Sequence, residues 1–538
     1  MEGLMMDDFP LTLTPLLPRA ERLFPHVPVV SRLPDRLVRA SDYQTVVRRA
    51  RSLVSGLKAE GIQPGDRVGT LMWNHATHLE AYLGVPASGA VLHTLNLRLP
   101  SSDLAYVIHH AHDRLLLVDD VLLPVLAKAR EQVRVERVLV VPTSGKPVPE
   151  GFEDYEEWLS HHPPATSLPD LPERDAAGLC YTSGTTGRLK GVLYSHRSLV
   201  LHSLAEAIGL GLRQSDAVLV VVPMFHANAW GLPFTLTMLG ARQVLPGPHL
   251  DAESLLDLME RESVTLSAGV PSIWTGILEA LEKQPGRWKL SPGLRMVVGG
   301  AAMPESMARR FARFGIETIQ GYGMTESTPV VSLSIPKASM MAWDADRLFP
   351  VKARQGVPLP YVEVRLRADR GDLPWDGTAV GEIQLRGPWI ARAYFDDPDS
   401  TGKWTDDGWL RTGDVATIDP EGFVQVVDRI KDLVKSGGEW ISSVALENVL
   451  VSHPAVREAA VIARPDPKWG ERPLAFVVVK EGARVTPEEL TALLAERYPK
   501  WWLPDEFRFV PALPKTSTGK VSKLNLRQGL SGEEKPPA

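Results

Sequence analysis

The sequence predicts an α/β protein: a large N-terminal domain of layered α/β subdomains with a β-rich subdomain, then a small α+β C-terminal domain. Three observations carry this. A chain of 538 residues exceeds what one hydrophobic core organises. Helical stretches alternate with short apolar runs such as RVGTLMW, LLLVDD, RVLVVP, LRMVVGG and AVIARP, the pattern of helices laid on parallel sheets. After about Ser332 the pattern changes to short alternating runs, YVEVRLRA, GEIQLRG and GFVQVVD, separated by Gly, Pro and Asp turns.

Taken in order, the segment after Asp42 places Val46, Val47, Ala50, Leu53, Val54 and Leu57 at helical spacing, with Ser41 available as cap and Gly61 as stop. A Pro64-Gly65 turn follows. The richest apolar window, AVLVVVPMF at 217–225, has the length of a buried strand and falls far short of a membrane span. DRIKDLVKSGGEW at 428–440 is polar, charged and glycine-containing, as a hinge would be. The expected division is a domain at 1–427, including the β-rich part at 332–427, a linker at 428–433, and a C-terminal domain at 434–538. In the last, Thr486-Pro487-Glu488-Glu489 supplies a cap, a first-turn proline and a capping-box glutamate ahead of LTALLAERY. No internal repeat of fixed period is visible.

Composition narrows the class of function. With 44% hydrophobic and 23% charged residues the chain reads as an ordinary globular protein, not a disordered or disulfide-stapled one. Its one cysteine, Cys180, forbids an internal disulfide and a thiolate-rich metal site, and fits a reducing, cytoplasmic setting. The net charge of −6, from 59 basic and 65 acidic residues, gives no pull toward nucleic acid or an anionic membrane, so a small-molecule partner is expected. Asp7 and Asp8 stand where a secretory signal would place cations, and the last residues carry neither an SKL ending nor a prenylation cysteine.

The most informative segment is YTSGTTGRLKG, 181–191. Glycines at 184, 187 and 191 let the backbone turn tightly, four hydroxyl residues supply oxygens and Lys190 supplies charge, which together describe a polyphosphate cradle better than an ordinary polar loop. It is not a Walker A loop; Gly519-Lys520 is not one either, because Val521 follows and Pro514 occupies the position of that motif's first glycine. No G-x-S-x-G elbow or cysteine nucleophile motif occurs, and Cys180 reads as a small buried residue. His109, His110, His112 and Asp113 suggest a metal cluster, but without further partners they read better as a solvated helix end. His161-His162 lies in a proline-rich loop and reads as surface.

YTSGTTGRLKG, QGYGMTE (320–326), RTGD (411–414), DRIKDLVKSGGEWIS and PKTSTGK (514–520) occur in that order, and together the chain resembles the adenylate-forming superfamily of acyl-CoA synthetases, luciferases and peptide-synthetase adenylation domains. VPMFHANAW (222–230) and KSGGEWISS (435–443) are similar to the bacterial long-chain fatty acyl-CoA synthetases. The resemblance covers essentially the whole chain. It implies that a carboxylate attacks the α-phosphate of ATP, giving an acyl adenylate and pyrophosphate, and that coenzyme A then displaces AMP. Such a displacement needs positioning and charge neutralisation rather than a protein nucleophile.

The resemblance also implies roles. Lys520, Thr182, Glu326 and His226 count as catalytic, with Thr182 and Glu326 helping to hold Mg²⁺. Lys520 would bridge the carboxylate and the α-phosphate. Ser183, Gly184, Thr185, Thr186, Gly187 and Lys190 would cradle phosphates, and Thr325 would touch the α-phosphate. Gly300, Gln320, Gly321 and Tyr322 would frame adenine, Asp414 would accept from the ribose hydroxyls, and Arg429 would contact the nucleotide. Lys431, Lys435 and Trp440 would touch it too, an exposed linker with a docked tryptophan being the alternative. Ala227 and Trp230 belong to the same neighbourhood, Trp230 also as gate of an acyl tunnel, with a plain core tryptophan as the alternative. Gly437 and Gly438 would line the acyl and coenzyme A channel after the C-terminal domain rotates about Lys431. His226 stands where amino-acid-activating relatives carry aspartate, which disfavours an ammonium-bearing substrate. A homodimer through the N-terminal domain is expected. One departure is Leu189, where such loops carry proline before the lysine.

Overall fold

The hydrophobic period at 42–61 produces the helix Tyr43–Ala59, and Val46, Val47, Ala50, Leu53, Val54 and Leu57 are all buried. Its cap is Asp42 rather than Ser41. The Asp42 carboxylate accepts the Thr45 N–H at 2.8 Å, while Ser41 is committed to the preceding strand Val38–Asp42. The chain is described here from a computed structural model that covers residues 3–530 except 7, 131, 132, 134, 183–187, 370, 438 and 517–519, with the backbone alone for Arg130 and Thr401.

The N-terminal domain holds two large sheets. A seven-stranded sheet runs in the order Glu153–Asp154, Arg137–Val141, Asp113–Asp119, Arg67–Leu71, Val91–Thr94, Ala176–Tyr181, Gly191–Ser195, parallel except for the last strand. A nine-stranded sheet has a parallel centre, Glu317–Gly323, Arg295–Val298, Leu266–Gly269, Ala217–Val220, Arg242–Leu245 and Pro28–Arg32, with antiparallel strands at both edges. The helices Tyr43–Ala59 and Ala76–Ala87 pack between them and share one core with residues of both sheets. Burial of each aliphatic side chain there contributes ~1.5–3 kcal/mol. Five antiparallel strands between Glu363 and Arg429 form a separate sheet beside this core.

The small C-terminal domain has its own core, with Val434, Ile441, Leu446, Val461, Val477 and Leu490 at its centre. Its long hairpin, Val456–Asp466 with Gly470–Val479, carries Glu506–Phe509 in parallel. The helix Pro487–Ala495 begins at Thr486 with a reciprocal capping box, the Thr486 N–H donating to Glu489 at 2.7 Å and the Glu489 N–H to Thr486 at 3.2 Å.

One expectation needs correction in part. The segment 109–113 does end the helix Ser101–Ala111, with His109 and His112 exposed, but Asp113 opens a strand, is buried, and binds His93 Nδ1 at 2.8 Å, while the half-buried His110 pairs through Nδ1 with the Tyr181 hydroxyl at 2.7 Å. Among the described residues no group of three or more His, Cys, Asp or Glu side chains is placed to hold a metal. Cys180 is buried, between Thr94 and Asn228, and burial pushes its thiol up, as a packing residue requires.

Candidate active site

The strand Glu317–Gly323 runs into the turn Thr325–Ser327 and so delivers QGYGMTE to the C-terminal edge of the parallel sheet, where open α/β sheets place their ligands. Gln320 is spent internally. Its side-chain oxygen accepts the Met303 N–H at 2.7 Å and its amide donates to Ala301 and Gly321 carbonyls at 3.2 and 3.0 Å, fixing the 300–303 turn against Gly321. Tyr322 donates its hydroxyl to Asp414 Oδ2 at 2.6 Å, and Arg429 Nε lies 3.2 Å from the other Asp414 oxygen. Thr325 is held through its carbonyl by the Tyr194 hydroxyl at 2.8 Å.

Glu326, 6% exposed, accepts the Tyr394 hydroxyl at 2.5 Å. The ring of Tyr394 in turn lies 5.0 Å from Lys190 Nζ, which pairs with Asp397 at 2.9 Å. Thr182 and Lys190 close the mouth of the glycine-rich loop: the Thr182 N–H donates to the Lys190 carbonyl at 2.9 Å, and the Lys190 N–H to Thr182 Oγ1 at 3.2 Å. Ser183, Gly184, Thr185, Thr186, Gly187 and Gly438 lie outside the described residues.

Lys520 reaches this site from the C-terminal domain. Its own N–H donates to Thr516 Oγ1 at 3.2 Å, and the Thr516 N–H donates back to its carbonyl at 2.7 Å, so a short hairpin aims the side chain. The ammonium end approaches Gly300, whose φ is +81° and where an added Cβ would lie 3.2 Å from Lys520 Cε. Burial first, then the charge of Arg429, lower the Lys520 pKa to about 8, against the opposing pull of Asp414 and Glu326. Burial and the Lys520 charge hold His226 at about 3, so this imidazole is neutral at working pH.

Lys520, His226, Trp230 and Gly300 line one cavity of about 120 Å³, whose remaining walls include Val221, Val222, Leu250, Val270 and Ile273. Trp230 stands on a turn in which Ala227, Asn228, Ala229 and Trp230 all have positive φ, from 42° to 60°. This places its indole so close to Gly299 that a Cβ there would meet the ring at 2.7 Å. The tryptophan is therefore both buried and a cavity wall. Lys431 sits near Arg429 and Asp414, and partial desolvation followed by the Arg429 charge lowers its pKa. Lys435 and Trp440 pair with each other across a C-terminal hairpin, 4.7 Å from ammonium to ring, and Gly437 packs on Trp469. In this conformation Lys435, Trp440 and Gly437 are not cavity walls.

Sequence reading missed Tyr394, Asp397, Ser400, Gly299 and Tyr194. None lies in a motif dense in hydroxyls, glycine or charge; each acts through a partner distant in the chain. Asp397, in the run YFDDPD, is the one that left a signal, as a member of an acidic turn.

Residues 22–395 match the AMP-binding enzyme family, and residues 445–520 match the AMP-binding enzyme C-terminal domain. A long-chain-fatty-acid–CoA ligase of Thermus thermophilus is 48% identical, with 98% of each chain covered. A 3-methylmercaptopropionyl-CoA ligase of Ruegeria lacuscaerulensis is 42% identical, again over 98% of each. Among solved structures, an anthranilate CoA ligase in complex with anthranoyl-AMP superposes with a TM-score of 0.86 at 26% identity, covering 97% of this chain and 98% of that one. By these matches over most of its length, the chain belongs to the AMP-binding, adenylate-forming enzymes.

Proposed function

We propose that this enzyme is an ATP-dependent, AMP-forming ligase that joins a medium- or long-chain fatty acid to coenzyme A. The observation that carries this is the lining of the Lys520 cavity: two cationic side chains, Lys520 and Arg98, in a wall that is otherwise mostly aliphatic or aromatic. A carboxylate head suits the cations and an alkyl tail the apolar walls, and the neutral His226 offers no counter-charge to a substrate ammonium.

In this reading Lys520 bridges the acid and the α-phosphate and offsets the charge that builds as the carbon–oxygen–phosphorus link forms and pyrophosphate leaves. Asp414 accepts from the ribose, Tyr322 presents its ring to adenine with its hydroxyl already anchored on Asp414, and Arg429 steers the nucleotide. Thr182 and Glu326 offer oxygen donors suited to Mg²⁺, which prefers a carboxylate or two supplemented by phosphate oxygens and water. Bound there, the ion would neutralise phosphate charge. The thioester step follows rotation of the 434–538 domain about the 428–433 linker, which brings Gly437 and Gly438 forward. A homodimer and a cytoplasmic location complete the reading, and light scattering checks the first.

Substrate identity is the open point within the family, since a relative of nearly the same identity is named for a short thioether acid. Carboxylate-dependent ATP–pyrophosphate exchange over a panel of acids decides it. Laurate or palmitate should support the fastest exchange; preference for acetate, benzoate or 3-methylmercaptopropionate would reject the fatty-acid assignment.

A further inference from the structure

The segment 391–400, between the β-rich sheet and the glycine-rich loop, holds groups to which the reaction outlined above assigns nothing. Lys190 Nζ lies 2.9 Å from Asp397 Oδ2 and also contacts Ser400 Oγ. The Ser400 hydroxyl donates to the same Asp397 oxygen at 2.8 Å, and the Lys190 ammonium keeps the Asp397 carboxyl below its ordinary range. Beneath the ammonium lies the face of Tyr394, whose hydroxyl donates to Glu326. The tyrosine cannot swing freely. Trp404 packs edge-on at 5.2 Å, donates its indole N–H to the Ala391 carbonyl at 2.6 Å, and the Ala391 N–H donates to the Glu326 carbonyl at 2.7 Å.

We propose that Asp397 is a holding carboxylate that competes with phosphate for Lys190, and that Tyr394 is the positioning residue that keeps the lysine beside Glu326 throughout the exchange. The inference rests on the reading of Lys190 as a phosphate contact. A cation over an aromatic face is attracted without being directed to one anion, so Tyr394 can support the ammonium while its ion partner changes. The Lys190 and Asp397 side chains are 38% and 23% exposed, which makes their pair a weak one. A polyphosphate brings several charged oxygens and takes the ammonium from a lone carboxylate. Asp397 then withholds part of the binding free energy until nucleotide arrives, and removing its charge should tighten nucleotide binding. An ion pair that merely shaped the loop would give the opposite sign.

The test is equilibrium dialysis of ATP against the full chain, with and without Mg²⁺, alongside exchange kinetics. Asp397→Asn, partly exposed and nearly isosteric, should lower the ATP dissociation constant about 1.5- to 5-fold, the order of effect an exposed ion pair can exert. The same substitution made on a Lys190→Ala background should change nothing. Tyr394→Leu should weaken ATP binding, while Tyr394→Phe should restore it without Mg²⁺ and retain a defect in kcat, because the ring remains and the Glu326 contact is lost. Unchanged or weaker binding by Asp397→Asn, or equal tightening on the Lys190→Ala background, overturns the proposal alone. A wild-type chain that binds no ATP overturns the reading of the site and this proposal with it.

Discussion

Lys520 shows how a single residue's environment sets the working range of the site. Burial lowers its pKa first and Arg429 second, to about 8, well under the ordinary lysine value of about 10.4. Only the protonated form carries the charge that the adenylation step uses, so adenylation should be sustained below about pH 8 and decline as pH rises through that value. Replacing Arg429 by Gln removes a repelling cation, so the alkaline limb should move upward while staying below the free-lysine value, because burial remains. The limb of ATP–pyrophosphate exchange, measured as kcat/KM for ATP so that it reports the free enzyme, checks this; a limb that stays in place or moves down would remove Arg429 from the electrostatics of Lys520.

At the scale of elements, the helix His196–Leu210 carries a pair of buried groups behind the Trp230 turn. His202 accepts the Val330 N–H at 3.1 Å, and Glu206 accepts the Thr235 hydroxyl at 2.6 Å. Burial raises Glu206 to about 8 from an ordinary value near 4.5, the weaker Thr235 bond opposing it. The folded chain thus keeps a proton that the unfolded chain releases. This contribution is fully present below about pH 4.5, falls by ~1.4 kcal/mol per pH unit between there and about 8, and changes no further above that. Glu206→Gln should abolish this slope, so that the variant gains on wild type in urea-unfolding free energy from pH 5 to 8. A parallel pair of pH curves would show that Glu206 ionises normally. Elements of this kind were partly legible. The period of apolar residues gave the helix Tyr43–Ala59, and local chemistry gave the capping box at Thr486, because both signals lie within a few residues. The buried ionisable pair was not, since its cost depends on strands that meet the helix only after folding. The Lys190 to Ser400 contact joins residues 210 apart in sequence and leaves no local trace.

For the whole molecule, the C-terminal domain is clasped to the body at two points. Asp428, at the end of the β-rich sheet, accepts the Ser443 N–H at 2.6 Å and its hydroxyl at 2.5 Å, and Arg457 lies 3.7 Å from Glu279 of the N-terminal domain. In the C-terminal domain Lys523 pairs with Glu447 at 2.7 Å, and Arg527 reaches Asp432 of the linker at 2.5 Å, so the helix that follows Lys520 is fastened to the linker. A short bis-maleimide bridge between cysteines placed by Glu279→Cys and Arg457→Cys should preserve adenylation and block thioester formation, the only native cysteine being buried. Thioester formation at the uncrosslinked rate would refute the domain rotation. The two-part division was legible because five motifs kept their order along the chain, whereas the clasp was not, as Asp428 and Ser443 read only as linker polarity.

The placement of Lys520 against Gly300 has one more consequence. Under the proposed function, a side chain that joins this cavity wall from a separate domain would also hinder entry, so acid and nucleotide would load before that domain seats. The mixed anhydride formed there is an activated ester equivalent that water would destroy, and on the same reading the seated lysine would shield it until the domain turns. The proposed catalytic group would then double as a guard on the intermediate, tying yield per ATP spent, as well as rate, to a single residue.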